Sequence, residues 1–494
     1  MNKLKIINIA LVFTVLSLTL MSCQKYLDIN VDPNNSPTTT AELQLPAAQL
    51  YIGSSIGDRL FQQTSVWSQY YTGGPGVSLG DWDKNKMATS DGNQVFNSLF
   101  RSMSNLDFII RKTNEPYYGA ISQVMTAYSM QVLVDLFGNV PYTQALKGDI
   151  SDGSISSPSY DNAKDVIYPD LERRILAALN TIDTNAAGIK LPGNDDLIYQ
   201  GDLARWKKFA RSLLLKLYIR QGDVAKTKFA TVFNAGPTDL ILTNADNTKI
   251  SYPGGAQSRN PFWTSAKSTA LGNYFVGSKT TVDYLLATSD PRVDFFFDKP
   301  QSGNHLGLKQ GDVENAPSTA DFTRPKGARA TNGGLIFRPT APVILMSAWE
   351  VNLILAEAVS LGWITGNAKA FYDAAIDASA LYLGAPDMTT YKAGPGAYDA
   401  TSAASRRKSI ALQKWVSMNG LQPIEAWIET RRFDNTANPI FASPGGLFVT
   451  PTRNSLPGDS HPSILFYPAT EQDLNSNFPG QHDILLNGKV FWDN

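Results

Sequence analysis

Apolar residues recur at spacings of three and four along most of this chain, and that period restricts it to packed helices. Val95, Leu99, Met103, Leu106 and Ile110 fall on one helical face, because 3.6 residues per turn bring such positions into line. Residues 117–137 continue as a second helix. It should end at Gly138, which takes the left-handed conformation at little steric cost, with Pro141 just beyond. Residues 163–182 form a third helix. Leu203, Trp206, Phe209, Leu213 and Leu217 mark a fourth, ending at Gly222, and Asp223 is placed to cap a further helix reaching Phe233. Helices return over 343–361, 368–383, 406–418 and 423–432. Residues 236–342 break the pattern. They are rich in Gly, Pro, Asn, Ser and Thr, with turns at Pro253-Gly254-Gly255 and Asn332-Gly333-Gly334, and a helical piece only near 280–287. A loop region of that length inside a packed protein points to function.

Several helix pairs echo tetratricopeptide units. Trp206-x-x-Phe209-Ala210-x-x-Leu213 corresponds to the first half of such a repeat, and Ala225-x3-Phe229 to the second. Leu355-Ala356 followed by Ala368-x3-Tyr372-x2-Ala375 is a second case, with Asn352 and Val359 where the repeat prefers Trp and Tyr. Small alanines let paired helices approach while an aromatic ring fills the groove between them. The expected fold is therefore mainly α, a tetratricopeptide-like scaffold with long irregular inserted loops.

Composition narrows the function. The formal net charge of −1 gives no footprint for nucleic acid. Charged residues make up 18%, below the usual ~25%, and polarity comes instead from Asn, Ser, Thr, Gln and Gly. The only cysteine, Cys23, rules out disulfides within the chain and cysteine metal cages. It follows Lys3, Lys5, an apolar run over 6–20 and Leu20-Met21-Ser22. That run is shorter than the roughly 20 residues a bilayer span needs. The arrangement fits a lipobox, in which Cys23 is acylated and becomes the mature N-terminus. Two or three acyl chains then anchor firmly where one would not. Residues 1–22 are read as a lipoprotein signal peptide, 23–40 as a turn-rich tether, and 41–494 as one helical domain with its loop-rich insertion near 236–342.

Motifs for chemistry are sparse. Gly53-x-Ser55-x-Gly57 has the letters of a nucleophile elbow, but that elbow needs a strand before it, and 47–52 reads as helix. His305, His461 and His482 all lie in turn-rich segments. Glu425 and Glu429, or Glu350 and Glu357, share helix faces. A glycosidase needs two carboxyls set across a cleft, and salt-bridged faces are the plainer reading with Arg431 and Arg432 nearby. Asp32-x-Asn34-x-Ser36 and Asp81-x-Asp83-x-Asn85 begin like calcium loops but lack the later glycine and glutamate. No cofactor is expected beyond an incidental calcium ion, and no catalytic residue is assigned.

The remaining signal is aromatic. Trp67, Tyr70, Tyr71 and Trp82 cluster around Gly73-Gly74-Pro75-Gly76, and Trp263 stands in Arg259-Asn260-Pro261-Phe262-Trp263. An exposed ring offers a flat electron-rich face against which the C–H face of a sugar packs. These five are the expected ligand-binding residues, with ordinary core packing as the competing reading for each.

In order along the chain, Tyr26-Leu27-Asp28-Ile29-Asn30, Asp135-Leu136-Phe137-Gly138-Asn139-Val140-Pro141-Tyr142, Trp206-Lys207-Lys208-Phe209-Ala210 and Asn260-Pro261-Phe262-Trp263 are followed by Ala356-Glu357-Ala358, Gln413-Lys414-Trp415, Ile424-Glu425-Ala426-Trp427 and Leu465-Phe466-Tyr467-Pro468. Together, behind a lipobox, these segments resemble the SusD/RagB family of outer-membrane lipoproteins, in its SusD-like branch. The resemblance implies a surface-exposed lipoprotein, anchored in the outer membrane, that captures an oligosaccharide and passes it to a SusC-like TonB-dependent barrel without altering it. A peptide-binding lipoprotein, a surface glycosidase or peptidase, and a purely structural subunit are the alternatives. The anchor is directly testable: labelling with a fatty acid in the native host should mark the wild type, and Cys23→Ala should abolish both the label and membrane retention. Retention of the label in the variant would overturn the lipobox reading.

Overall fold

Helices form where apolar residues recur at helical spacing and end where glycine or a polar cap interrupts them. The computed structural model of the chain describes residues 39–75, 79, 82–148, 154–184, 188–267, 274–312, 316, 321–328, 334, 336–483 and 488–493. The first run comprises α1 (Ala41–Gly57), α2 (Arg59–Trp67), α3 (Asn93–Lys112), α4 (Pro116–Phe137), α5 (Tyr168–Thr184), α6 (Leu203–Gln221) and α7 (Lys226–Ala235). Two short helices follow, α8 (Lys279–Ala287) and α9 (Val293–Phe296). The second run comprises α10 (Ala348–Ser360), α11 (Ala368–Leu383), α12 (Thr389–Ala393), α13 (Ala403–Met418), α14 (Pro423–Phe433) and α15 (Ala469–Leu474). Within the first run α1 packs on α3, and α3 to α7 pack each on the next. Within the second, α10 lies on α11 and α13, and α13 on α14. Contacts of α6 with α10 and of α14 with α2 join the two runs. The scaffold is mainly α and tetratricopeptide-like, as expected. The α6–α7 pair buries Trp206, Phe209, Ala210, Ala225 and Phe229.

The ends have local causes. Gly138 closes α4 at φ 74° and Gly222 closes α6 at φ 73°, both in the left-handed region that glycine enters without penalty. Asn367 caps α11 by accepting the Ala370 N–H. Two expectations are corrected. The segment 343–361 is not helical throughout: β8 (Val343–Met346) precedes α10, and the Ser347 side chain accepts from Glu350 N to start the helix. The run Val343-Ile344-Leu345-Met346 is apolar and partly β-branched, and it completes an antiparallel pair with β4 (Thr248–Ile250). Asp223 does not cap α7. It lies in a 3-10 turn, and its carboxylate accepts from Trp363 Nε1 at 3.1 Å.

The loop-rich stretch 236–342 is tied to the helices by short antiparallel pairs. β1 (Tyr71–Gly73) pairs with β5 (Phe275–Gly277), and β4 with β8. β6 (Phe297–Asp298) pairs with β7 (Arg324–Pro325), while β2 (Val140–Pro141) and β3 (Tyr160–Asp161) pair elsewhere. The closeness of β4 and β8 to α1 explains Gly53 and Gly57. A Cβ at Gly53 would strike Tyr252 Oη, and one at Gly57 would meet Val343 Cγ2 at 2.5 Å. Ser55 donates to Tyr51 O within α1, so this triplet is a helix-packing surface and not a nucleophile elbow.

A charged network runs through the core. Arg220 of α6 bonds Asp135 of α4 and Glu425 of α14, and reaches Glu429 at 3.3 Å. Lys216, one turn earlier, pairs with Glu350 of α10 and with Glu425 at 3.2 Å. Lys414 of α13 meets Glu429 at 2.7 Å. Arg432 grips Glu357 with both Nη atoms, at 2.7 and 2.6 Å. Asp135 also accepts from Trp492 Nε1 at 2.7 Å and Tyr168 Oη at 3.1 Å. Burial pushes the Glu429 carboxyl up, but Arg432, Lys414 and Arg220 outweigh it and hold that group well below the usual range. For Asp135, burial wins over Arg220 and the carboxyl is raised. The carboxylate pairs Glu425/Glu429 and Glu350/Glu357 are thus salt-bridged, as expected, but in the interior and not on a solvated face.

The histidines are also structural. His305 Nε2 lies 2.7 Å from Asp294 Oδ1, and His482 Nε2 lies 2.8 Å from Phe137 O. His461 rests near the Phe448 ring. Desolvation lowers it to about 4 from 6.5, against the pull of Asp434 and Asp459. Among the described residues no group of three or more His, Cys, Asp or Glu could hold a metal ion.

Two outcomes are expected. Arg220→Ala strands Asp135 without its counter-charge and leaves Glu425 with Lys216 alone, and should cost about 3–5 kcal/mol in equilibrium urea unfolding; a loss below about 1 kcal/mol would show the network to be dispensable. The second concerns pH. Between pH 6.5 and 4 the unfolded chain takes up a proton that folded His461 refuses, so stability falls as pH falls through that window, by up to about 3 kcal/mol. His461→Gln should flatten that part of the stability–pH curve, and an unchanged slope would remove His461 as its source.

Candidate functional site

The junction between α1 and α2 gathers the polar and aromatic side chains that the loops bring to one place. Asp58 breaks the helix with φ −114° and ψ −119°, and its carboxylate accepts from Gln94 Nε2 at 2.9 Å. Arg59 opens α2. Its Nη2 lies 3.4 Å from Asp91 Oδ1, and the other Asp91 oxygen accepts from Ala88 N at 2.8 Å. The Arg59 guanidinium lies over the ring of Trp82, 5.0 Å from its centroid. One turn along α2, Gln62 Nε2 donates to Ser265 Oγ at 2.9 Å, and Phe61 packs on Phe262 at 5.2 Å. These contacts hold the π-helical turn Trp263–Lys267 against α2. Asn260 orients that turn: its Oδ1 accepts from Trp263 N and its Nδ2 donates to Ala341 O. Trp263 lies under the Arg259 guanidinium at 4.9 Å.

Two half-buried indoles, each topped by an arginine, therefore flank the start of α2. Ring faces and guanidinium forks are groups suited to extended hydroxylated or charged ligands; the Gln62 amide is buried and serves to hold the Ser265 side. Among the described residues there, the polar groups named are engaged in structural hydrogen bonds.

The other expected rings are elsewhere. Trp67, Tyr70 and Tyr71 are 1%, 0% and 2% exposed, which corrects the expectation that they offer a face to ligand. Trp67 packs on Trp427 at 5.2 Å. Tyr70 stacks on Trp415 at 5.6 Å and donates to its carbonyl at 2.5 Å. Tyr71 sits between Phe275 and Phe297. The glycine-rich context suggested a loop, but α2 and β1 carry these residues inward. The arginines over Trp82 and Trp263 had no sequence signal beyond Arg259 standing four residues before Trp263. Cys23, Asp32, Asn34, Ser36 and Asp81 lie outside the described residues. Asp83 is fully buried in the turn that begins at Trp82.

Comparison with known proteins places the scaffold. Residues 33–445 match the sequence profile of a SusD-like family described as starch-binding and associating with the outer membrane. No curated protein sequence matches the chain. A chitin-binding protein of known structure superposes with a TM-score of 0.72 at 24% identity, over 91% of this chain and 99% of its own. A chitin-binding SusD homolog from Flavobacterium johnsoniae gives 0.74 at 20% identity, over 92% and 98%. A SusD-like protein from Bacteroides thetaiotaomicron gives 0.65 at 19%, over 80% and 86%. At these identities the likeness is one of fold. The profile match over most of the length decides the family: this chain belongs to the SusD-like family of glycan-binding proteins that associate with the outer membrane.

Proposed function

We propose that this protein is a non-catalytic surface lipoprotein, anchored through Cys23, that captures an oligosaccharide and delivers it to a SusC-like TonB-dependent barrel. The family match over residues 33–445 carries this reading. The chemistry of the interior supports the absence of catalysis. Glu350, Glu357, Glu425 and Glu429 are each paired with lysine or arginine, and all four are buried. The ligand site in this reading is the α1–α2 junction, with Trp82 and Trp263 as its platforms.

Isothermal titration against starch- and chitin-derived oligosaccharides tests capture. Trp82→Ala and Trp263→Ala should each weaken binding roughly tenfold, without product appearing during long incubation. Unchanged affinity in both variants would move the site elsewhere; release of shorter sugars would overturn the non-catalytic role. Co-purification of a barrel with the wild type tests delivery.

A further inference from the structure

The two tryptophans do not present bare rings. Each has an arginine over it, and a neutral pyranose would have to displace a guanidinium before stacking there. The guanidinium is planar, with its five N–H donors around the edge. When its face lies on an indole, that edge stays free. Among the described residues Arg59 uses one donor, in the long 3.4 Å contact to Asp91, and Arg259 makes no hydrogen bond or ion pair. Both arginines are exposed. Among the described residues, the carboxylates that Arg59 adjoins are occupied: Asp91 is buried and takes the Ala88 N–H, and half-buried Asp58 takes the Gln94 amide. The two stacks are tied to successive turns of α2, through Arg59 itself and through the Gln62–Ser265 bond.

We propose that this site selects acidic oligosaccharides, chains whose sugars carry carboxylates. A carboxylate meets the free edge of a stacked guanidinium in a bidentate, charge-assisted pair while the arginine remains on its tryptophan. Two such pairs suit repeated carboxylates along one glycan. An acidic peptide offers the same group, but the glycan is favoured because the chain belongs to a glycan-binding family. The inference rests on the capture reading above and specifies its ligand class.

The test titrates the full chain with an oligogalacturonate and with the same oligomer after reduction of its carboxyls to alcohols, at low and at about 0.3 M salt. A poly-glutamate of similar length is the control. The acidic glycan should bind at least about tenfold tighter than its reduced form. The advantage should vanish in high salt and in the double variant Arg59→Gln, Arg259→Gln, with circular dichroism reporting an unchanged fold. Equal binding of both glycans would overturn acid selection and leave glycan capture standing. Tight binding of poly-glutamate with no glycan bound, or no binding by any of the three alongside failure of the neutral panel, would overturn both.

Discussion

Arg220 holds together segments that no other group could join at the same place. Its guanidinium lies in the interior and meets Asp135 from the first helical run and Glu425 and Glu429 from the second. A buried charge without a partner costs several kcal/mol, so each helix that carries one is fixed in register by the others. Hydrophobic packing alone tolerates slippage, because apolar side chains are interchangeable to first order. Paired charges on α4, α6, α10, α13 and α14 are not. The network thereby favours one register between the two runs of helices, and α2 packs on α14, which carries two of its carboxylates.

Most of the short segments that resemble the family and fall within the described residues map onto this framework; Asn260-Pro261-Phe262-Trp263 is the exception and reaches the candidate site. Asp135, Glu357, Lys414 and Glu425 are network members. Trp206 donates to buried Asp196 at 2.7 Å, and Tyr467 to Asn139 O at 2.6 Å. Asn260 fixes the Trp263 turn. Such residues specify a scaffold on which different sugars can be recognised, because the side chains that would contact ligand lie in the loops between them. Shared architecture with chitin-binding structures at 20–24% identity is compatible with a different charge preference at the site.

Much of the scaffold was legible from period and punctuation. Residues 368–383 form a helix with those same bounds, since Asn367 and Gly384 stop it from both sides. The strand at 343–346 was not, because a short apolar run fits a buried helix or a buried strand equally well and its partner lies near residue 249. The candidate site was half legible. Trp82 and Trp263, singled out by their polar surroundings, do keep part of their rings exposed, but Trp67, Tyr70 and Tyr71 share that local look and are buried by Trp427, Trp415, Phe275 and Phe297. Burial by a partner hundreds of residues away leaves no mark in the neighbouring sequence. The pairing of Glu429 with Arg432 could be guessed from their spacing, whereas Glu425 is held by Lys216 and Arg220, and Arg431 donates to main-chain carbonyls. The enclosure of Glu425 and Glu429, and the role of Lys216 and Arg220, could not be guessed.

The spacing of the ion network along the chain has a kinetic meaning. Arg220 is 85 residues from Asp135 and 205 from Glu425, and Trp492 closes on Asp135 across 357. Lys414, Glu429 and Arg432 can pair within one hairpin, but Arg220 and Asp135 cannot, so early compact states that bury α4 or α6 alone carry an uncompensated ion. Such states are penalised and reopen. Pairs of this separation form only after distant parts of the chain have met, which adds to the slow folding that long-range contacts impose.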